Sequence, residues 1–88
     1  MEFLLQGNNL RDMAKKLVLD YMKATVECAS SAEGVKQARI FHECGFDWGG
    51  YPNSTSSNQQ YWVVALLREL EKEEKVCRDP ATKKWRLK

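Results

Sequence analysis

No stretch of these 88 residues comes near the ~20 consecutive apolar residues that a membrane-crossing helix requires. The opening Met1-Glu2-Phe3-Leu4-Leu5 lacks the cationic start and the apolar length of a secretory leader. Cysteine is scarce. Cys28, Cys44 and Cys77 are odd in number and widely spaced, which argues against a secreted disulfide framework and for reduced, mostly structural thiols. The expectation is an intracellular protein, in cytoplasm, nucleoid or nucleus, with no membrane contact. Catalytic signatures are missing too: no Gly-rich phosphate loop after a strand, no nucleophile elbow, no H-E-x-x-H. One histidine and scattered carboxylates in so short a chain rarely enclose a pocket. No enzyme activity, catalytic residue or cofactor is expected. Cys28, His42, Cys44 and Cys77 make a poor zinc set, with H-x-C and two remote thiols instead of C-x2-C, so no metal is expected. His42 reads as an exposed or partly packed helix residue.

What is present is one small domain, whose size leaves a thin margin of stability because roughly 60–65% of its surface is buried on folding. The net charge of +2 conceals an asymmetry. Residues 75–88 carry six Lys/Arg against one Asp, a net +5, while residues 1–74 carry eight against eleven, a net −3. Concentrated cations suit contact with phosphates. They also suit a strand edge protected against aggregation.

The chain is organised around residues 57–88. Ser57 and Gln60 have capping-box spacing. Val63, Leu66, Leu67 and Leu70 recur at helical steps, and Tyr61, Ala65, Arg68 and Lys72 fall on the opposite side. Helix 3 is expected over 57–74. A hairpin follows over 75–88: a short strand at Val76 to Arg78, a type I turn at Asp79-Pro80-Ala81-Thr82, and an alternating strand at Lys83 to Lys88. Trp85 and Leu87 point inward, onto the apolar face of helix 3. Lys84, Arg86 and Lys88 point outward.

The stretch YWVVALLRELEKEEKVCRDPATKKWRL resembles the third helix and wing of the winged-helix superfamily, with Leu67, Leu70, Val76, Trp85 and Leu87 at its apolar positions. The resemblance implies an α+β, mostly helical fold: a three-helix bundle followed by a C-terminal two-stranded β-hairpin wing. Glu74 stands where the family usually has Gly, which predicts a longer or less sharply turned helix end.

Earlier in the chain, residues 1–8 are expected as an N-terminal arm in which Phe3, Leu4 and Leu5 pack on the core or form a dimer contact. Asn8 or Asn9 is expected to cap helix 1 over 9–24, built on Leu10, Met13, Ala14, Leu17 and Tyr21. Arg11, Lys15 and Lys16 lie off that stripe, as a solvated face from which Lys15 could reach a phosphate. Val26 is a candidate small strand. Ser30 with Glu33 predicts a capping box for helix 2 over 32–44, with Val35, Ala38, Ile40 and Phe41 apolar and Gly45 as a left-handed terminator. Residues 45–56 read as a Gly/Ser-rich aromatic loop. Its Phe46, Trp48 and Tyr51 are expected to fold back on the core, or else to form a partner-binding knob.

The resemblance implies duplex DNA as partner, with helix 3 in the major groove. Asn58, Gln59, Gln60 and Tyr61 become the candidate base readers, with Arg68 and Lys72 further along. Ser54, Thr55, Ser56 and Ser57 are placed for phosphates near the helix start. Arg78, Lys83, Lys84 and Arg86 are placed along the backbone or minor groove. Glu69, Glu71, Glu73 and Glu74 oppose this reading by making the back of the helix acidic. A lone copy should bind weakly, so a homodimer or a tethered partner is expected to add affinity. The alternative is a winged-helix protein-interaction module without nucleic-acid binding. A third reading is structured RNA.

Overall fold

The computed structural model of the chain describes residues 2–46 and 57–88, with backbone alone for 57–60. Three helices precede a hairpin: α1 Glu2–Ala24, α2 Gln37–Glu43, α3 Ser57–Lys72, β1 Val76–Arg78 and β2 Trp85–Leu87, with a 3-10 turn at Val26–Cys28. The class is α+β and mostly helical. Trp85 sits fully buried in one cluster with Val18, Met22, Ile40, Phe41, Val63, Leu67, Leu70 and Val76. Leu87 packs half-buried against that cluster, so both inward residues of β2 lie where their alternation puts them.

α3 buries Val63, Leu66, Leu67 and Leu70 and exposes Tyr61, Ala65, Arg68 and Lys72, as the helical spacing requires. It ends earlier and more sharply than Glu74 suggests. The Lys75 N–H donates to the Leu70 carbonyl and the Glu74 N–H to that of Glu71, each at 3.0 Å. Glu74 itself is left-handed, with φ at 61°. This is a Schellman end with a side chain in the residue that normally lacks one. Leaving the usual helical region there costs a non-glycine residue roughly 1–2 kcal/mol. α2 ends the same way on Gly45, with φ at 75°. There the Phe46 N–H donates to the Phe41 carbonyl at 3.0 Å.

β1 and β2 pair antiparallel, Val76 with Leu87, Cys77 with Arg86 and Arg78 with Trp85. The turn is closed by Asp79, whose Oδ1 accepts from the Ala81 N–H at 2.8 Å and the Thr82 N–H at 3.1 Å. Those two donors hold its carboxyl below the usual aspartate range. The Asp79 N–H donates to the Lys84 carbonyl at 2.8 Å. In an antiparallel ladder hydrogen-bonded pairs alternate, so the polar backbone atoms of Trp85 face away from β1. Val35 takes both: its N–H donates to the Trp85 carbonyl at 2.9 Å, and its carbonyl accepts from the Trp85 N–H at 2.7 Å. A residue between α1 and α2 thereby becomes the third, minimal strand beside β2.

That bridge corrects the reading of residues 25–44. Val26 forms no strand; it is 84% exposed in the 3-10 turn. The strand residue is Val35, nine positions on. Helix 2 does not begin at Ala32. Ser30 and Glu33 make no capping box, since residues 29–32 form a turn in which the Ala32 N–H donates to the Ala29 carbonyl at 2.9 Å. α2 starts only at Gln37, with Lys36 before it in extended conformation. Gly34 decides this path. Its φ is 90°, and a Cβ there would lie 2.5 Å from the Trp85 carbonyl oxygen. The glycine therefore permits the crossing that brings Val35 to β2.

The N-terminal arm is also different. Residues 2–8 continue α1, and neither Asn8 nor Asn9 caps it. Asn8 instead accepts a hydrogen bond from Arg11 Nη2 within the helix, at 3.1 Å. No described helix is long and apolar enough to cross a membrane. Cys28, Cys44 and Cys77 are all free thiols. Burial raises the pKa of Cys28 and pushes that of Cys44 up to about 11, as for small apolar residues.

Candidate nucleic-acid interface

The exposed side of α3 and the hairpin meet at one ring. The Arg68 guanidinium lies 5.5 Å from the centroid of Trp85, and that of Arg78 lies 5.7 Å from it. Both distances are within cation–π range. Trp85 is the buried anchor of β2, Arg78 its cross-strand partner on β1, and Arg68 the middle of the exposed α3 strip. One indole therefore fixes the helix face and the hairpin side by side. Arg78 Nε and Trp85 Nε1 are buried without a hydrogen-bond partner among the described residues. For Arg78 the aromatic contact replaces part of what that nitrogen loses.

The predicted DNA contacts separate into groups. Ser56 lies outside the described residues, as do Ser54, Thr55, Trp48 and Tyr51. Ser57, Asn58, Gln59 and Gln60 form the first turn of α3, with only their backbone described. Tyr61 is 68% exposed. Lys72, Lys83 and Lys84 make no ion pair among the described residues. Lys83 stands at the hairpin tip, left-handed with φ at 62°. Arg68 and Arg86 are engaged. Arg68 Nη1 donates to Glu71 Oε1 at 3.1 Å, and Arg86 Nη1 lies 3.7 Å from Asp79 Oδ2. Arg86 thus braces the turn, and of the outward hairpin cations Lys84 is the freer one.

The carboxylates of α3 are largely answered from within the fold. Glu69 meets Arg11 and Lys15 of α1, and Glu73 meets Lys15 and Lys75. Lys15 is therefore not a solvated cation: its side chain is 14% exposed and tied across the α1–α3 seam. The Glu73 carboxylate raises the Lys15 pKa, and Lys15 lowers that of Glu73. Glu74 lies 3.6 Å from Lys88. Tyr21 donates to Glu43, and Arg39 bridges Glu43 and Glu27. Burial, then the Glu43 carboxylate, pushes the Tyr21 hydroxyl up to about 12. That network ties α1, α2 and the 3-10 turn together, and its Glu27 and Arg39 line one hollow with Lys84 of the hairpin.

Lys36 has no role in the sequence expectation, which places it inside helix 2 over 32–44. It lines a shallow hollow with Val35 and Lys84, and makes no ion pair among the described residues. Gly34 beside Val35 was the available signal, since a glycine inside a supposed helix marks a break or close approach. Phe46 packs on Trp62 of α3, ring centroids 4.1 Å apart. Of the three loop aromatics it alone lies among the described residues, and it does fold back. No group of three His, Cys, Asp or Glu side chains among the described residues is placed to hold a metal ion. Comparison with protein-family models, with curated proteins and with solved structures finds no match.

Proposed function

We propose that this chain is a winged-helix domain that binds duplex DNA, with the exposed side of α3 in the major groove and the hairpin along the backbone. Three features support the fold assignment. The chain order is helix, strand residue, helix, helix, strand, strand, with β2 between Val35 and β1. Glu74 takes the left-handed conformation at the place where the superfamily carries Gly. Trp85 and Leu87 turn inward against the apolar side of α3.

The observation that carries the DNA reading is the joint at Trp85. Arg68 and Arg78 both reach its ring, so the α3 strip and the hairpin are held side by side. Lys72 of α3 and Lys83 and Lys84 of the hairpin make no ion pair among the described residues. Glu69 and Glu73 are paired with Arg11 and Lys15 of α1, which removes part of the repulsion expected from the sequence, while Glu71 stays beside Arg68. Tyr61 and the first turn of α3 stand where base edges would be met.

Fluorescence anisotropy with a random labelled duplex tests this. Affinity should fall steeply with salt, and Lys83→Ala with Lys84→Ala should flatten the log–log slope by about two. Absence of binding at low salt, or a slope unmoved by the pair, would falsify the reading. The protein-interaction alternative rests on Tyr61 and on Trp62, which is 37% exposed beside it. Under that alternative Tyr61→Ala abolishes capture of a protein partner, and no duplex binds.

A further inference from the structure

α1 outruns the body it belongs to. Its buried residues, Val18 and Met22, both lie toward its C-terminal end, and no side chain before Ala14 joins the core cluster or packs on it. Phe3, Leu10, Met13 and Leu17 are instead 83%, 66%, 68% and 44% exposed. At 100° per residue these four fall within an arc of about 80°, turned roughly 110° from the core-facing line through Val18 and Met22. With Gln6 between them they step by three and four, the spacing of a coiled-coil seam. A free-standing helix of a dozen residues is marginal in water, and Gly7, Asn8 and Asn9 are poor helix formers. The first half of α1 therefore needs a partner that covers this stripe.

The geometry points to a second copy of this chain, with the two α1 helices packed antiparallel about a two-fold axis. Area is the first argument. At these exposures the four side chains present on the order of 500 Å² of apolar surface, and a standard interface of ~800 Å² per partner, about 65% apolar in homodimers, needs that amount. Register is the second. When Leu10 of one copy sits against Leu10 of the other across the two-fold axis, Phe3 falls against Leu17 and Met13 against Gly7, and the pairing repeats by symmetry. Antiparallel packing also opposes the helix dipoles. A parallel pair would gather both Glu2 at one end and both Lys23 at the other. Leu10 borders α3, lining a hollow with Trp62, Ala65 and Leu66, so the inference is separated from the DNA reading by the hairpin variant below.

Sedimentation equilibrium without nucleic acid, from about 1 to about 100 µM, is the test. The expected result is a species of twice 10.2 kDa at the upper concentrations. Leu10→Asp with Met13→Asp should leave a folded monomer that keeps the near-UV signal of buried Trp85. Phe3→Asp and Leu17→Asp, which meet across the axis, should each weaken the dimer about tenfold. The Lys83→Ala, Lys84→Ala protein should remain dimeric. A single 10.2 kDa species at all concentrations, or a dimer indifferent to Leu10→Asp with Met13→Asp, overturns the inference.

Discussion

α1 and α3 are both amphipathic, yet they dispose of their apolar residues in opposite ways. α3 runs Ser57–Lys72 and puts Val63, Leu66, Leu67 and Leu70 into the core. α1 runs Glu2–Ala24, a longer helix, and contributes only Val18 and Met22 as buried residues. What α3 leaves outside is chiefly polar and cationic, Tyr61, Arg68 and Lys72, with Trp62 37% exposed beside them. What α1 leaves outside is apolar: Phe3, Leu4, Leu5, Leu10, Met13 and Leu17. A leftover face shows what covers it, because apolar area left in water forgoes about 25 cal/mol per Å². The outward side of α3 fits a charged, hydrated partner. The outward side of α1 fits an apolar one.

The sharpest way to break this contrast is to truncate one apolar residue from each class. Trp85→Ala should cost about 3–5 kcal/mol in urea unfolding, since it empties the cluster shared by α1, α3 and both strands. Leu10→Ala, measured at a concentration where the chain is monomeric, should cost less than about 0.5 kcal/mol. Equal costs would mean that α1 is packed in a way its exposure does not show.

The next largest effect is expected at the crossing point. Gly34→Ala places a Cβ against the Trp85 carbonyl and forces a residue at φ 90°. It should destabilise by on the order of 3 kcal/mol and expose the Val35 and Trp85 amides to hydrogen exchange. A neutral Gly34→Ala would show that Val35 does not pair with β2.

The smallest effect compares the two helix ends. Gly45 and Glu74 serve the same left-handed role at α2 and α3. Glu74→Gly should raise stability by about 1 kcal/mol, read as a rise of several degrees in Tm, although it also removes the exposed contact with Lys88. A fall in Tm would mean that the Lys88 contact outweighs the backbone strain.

Much of the C-terminal third was legible because its signals are local. The period of Val63, Leu66, Leu67 and Leu70, the Asp79-Pro80 turn and the Trp85/Leu87 alternation each lie within a few residues, and the structure follows the first and the third; the turn is wider than expected, since the Lys83 N–H donates to the Asp79 carbonyl at 2.7 Å and β2 begins only at Trp85. The Val35 bridge was not legible, because its partner is fifty residues away and one apolar residue after a glycine has no period. α2 was drawn too long for the same reason: Val35 fits a helical stripe as well as a strand. The helical start of α1 was hidden by Asn8 and Asn9, which read as caps but are carried inside a longer helix. At the surface, charge composition found the hairpin cations, but it could not show that Arg86 is held by Asp79 and that Lys15 is spent on Glu69 and Glu73. Those pairings depend on which helix faces which.

The account rests on the surface formed by α3 and the hairpin, and an NMR titration of the labelled protein with a random duplex addresses it most directly. The expected result is a set of salt-sensitive amide shifts at Tyr61, Lys72, Lys83 and Lys84, with Leu10 and Met13 unmoved. Unchanged spectra at low salt, or shifts confined to α1, would contradict it.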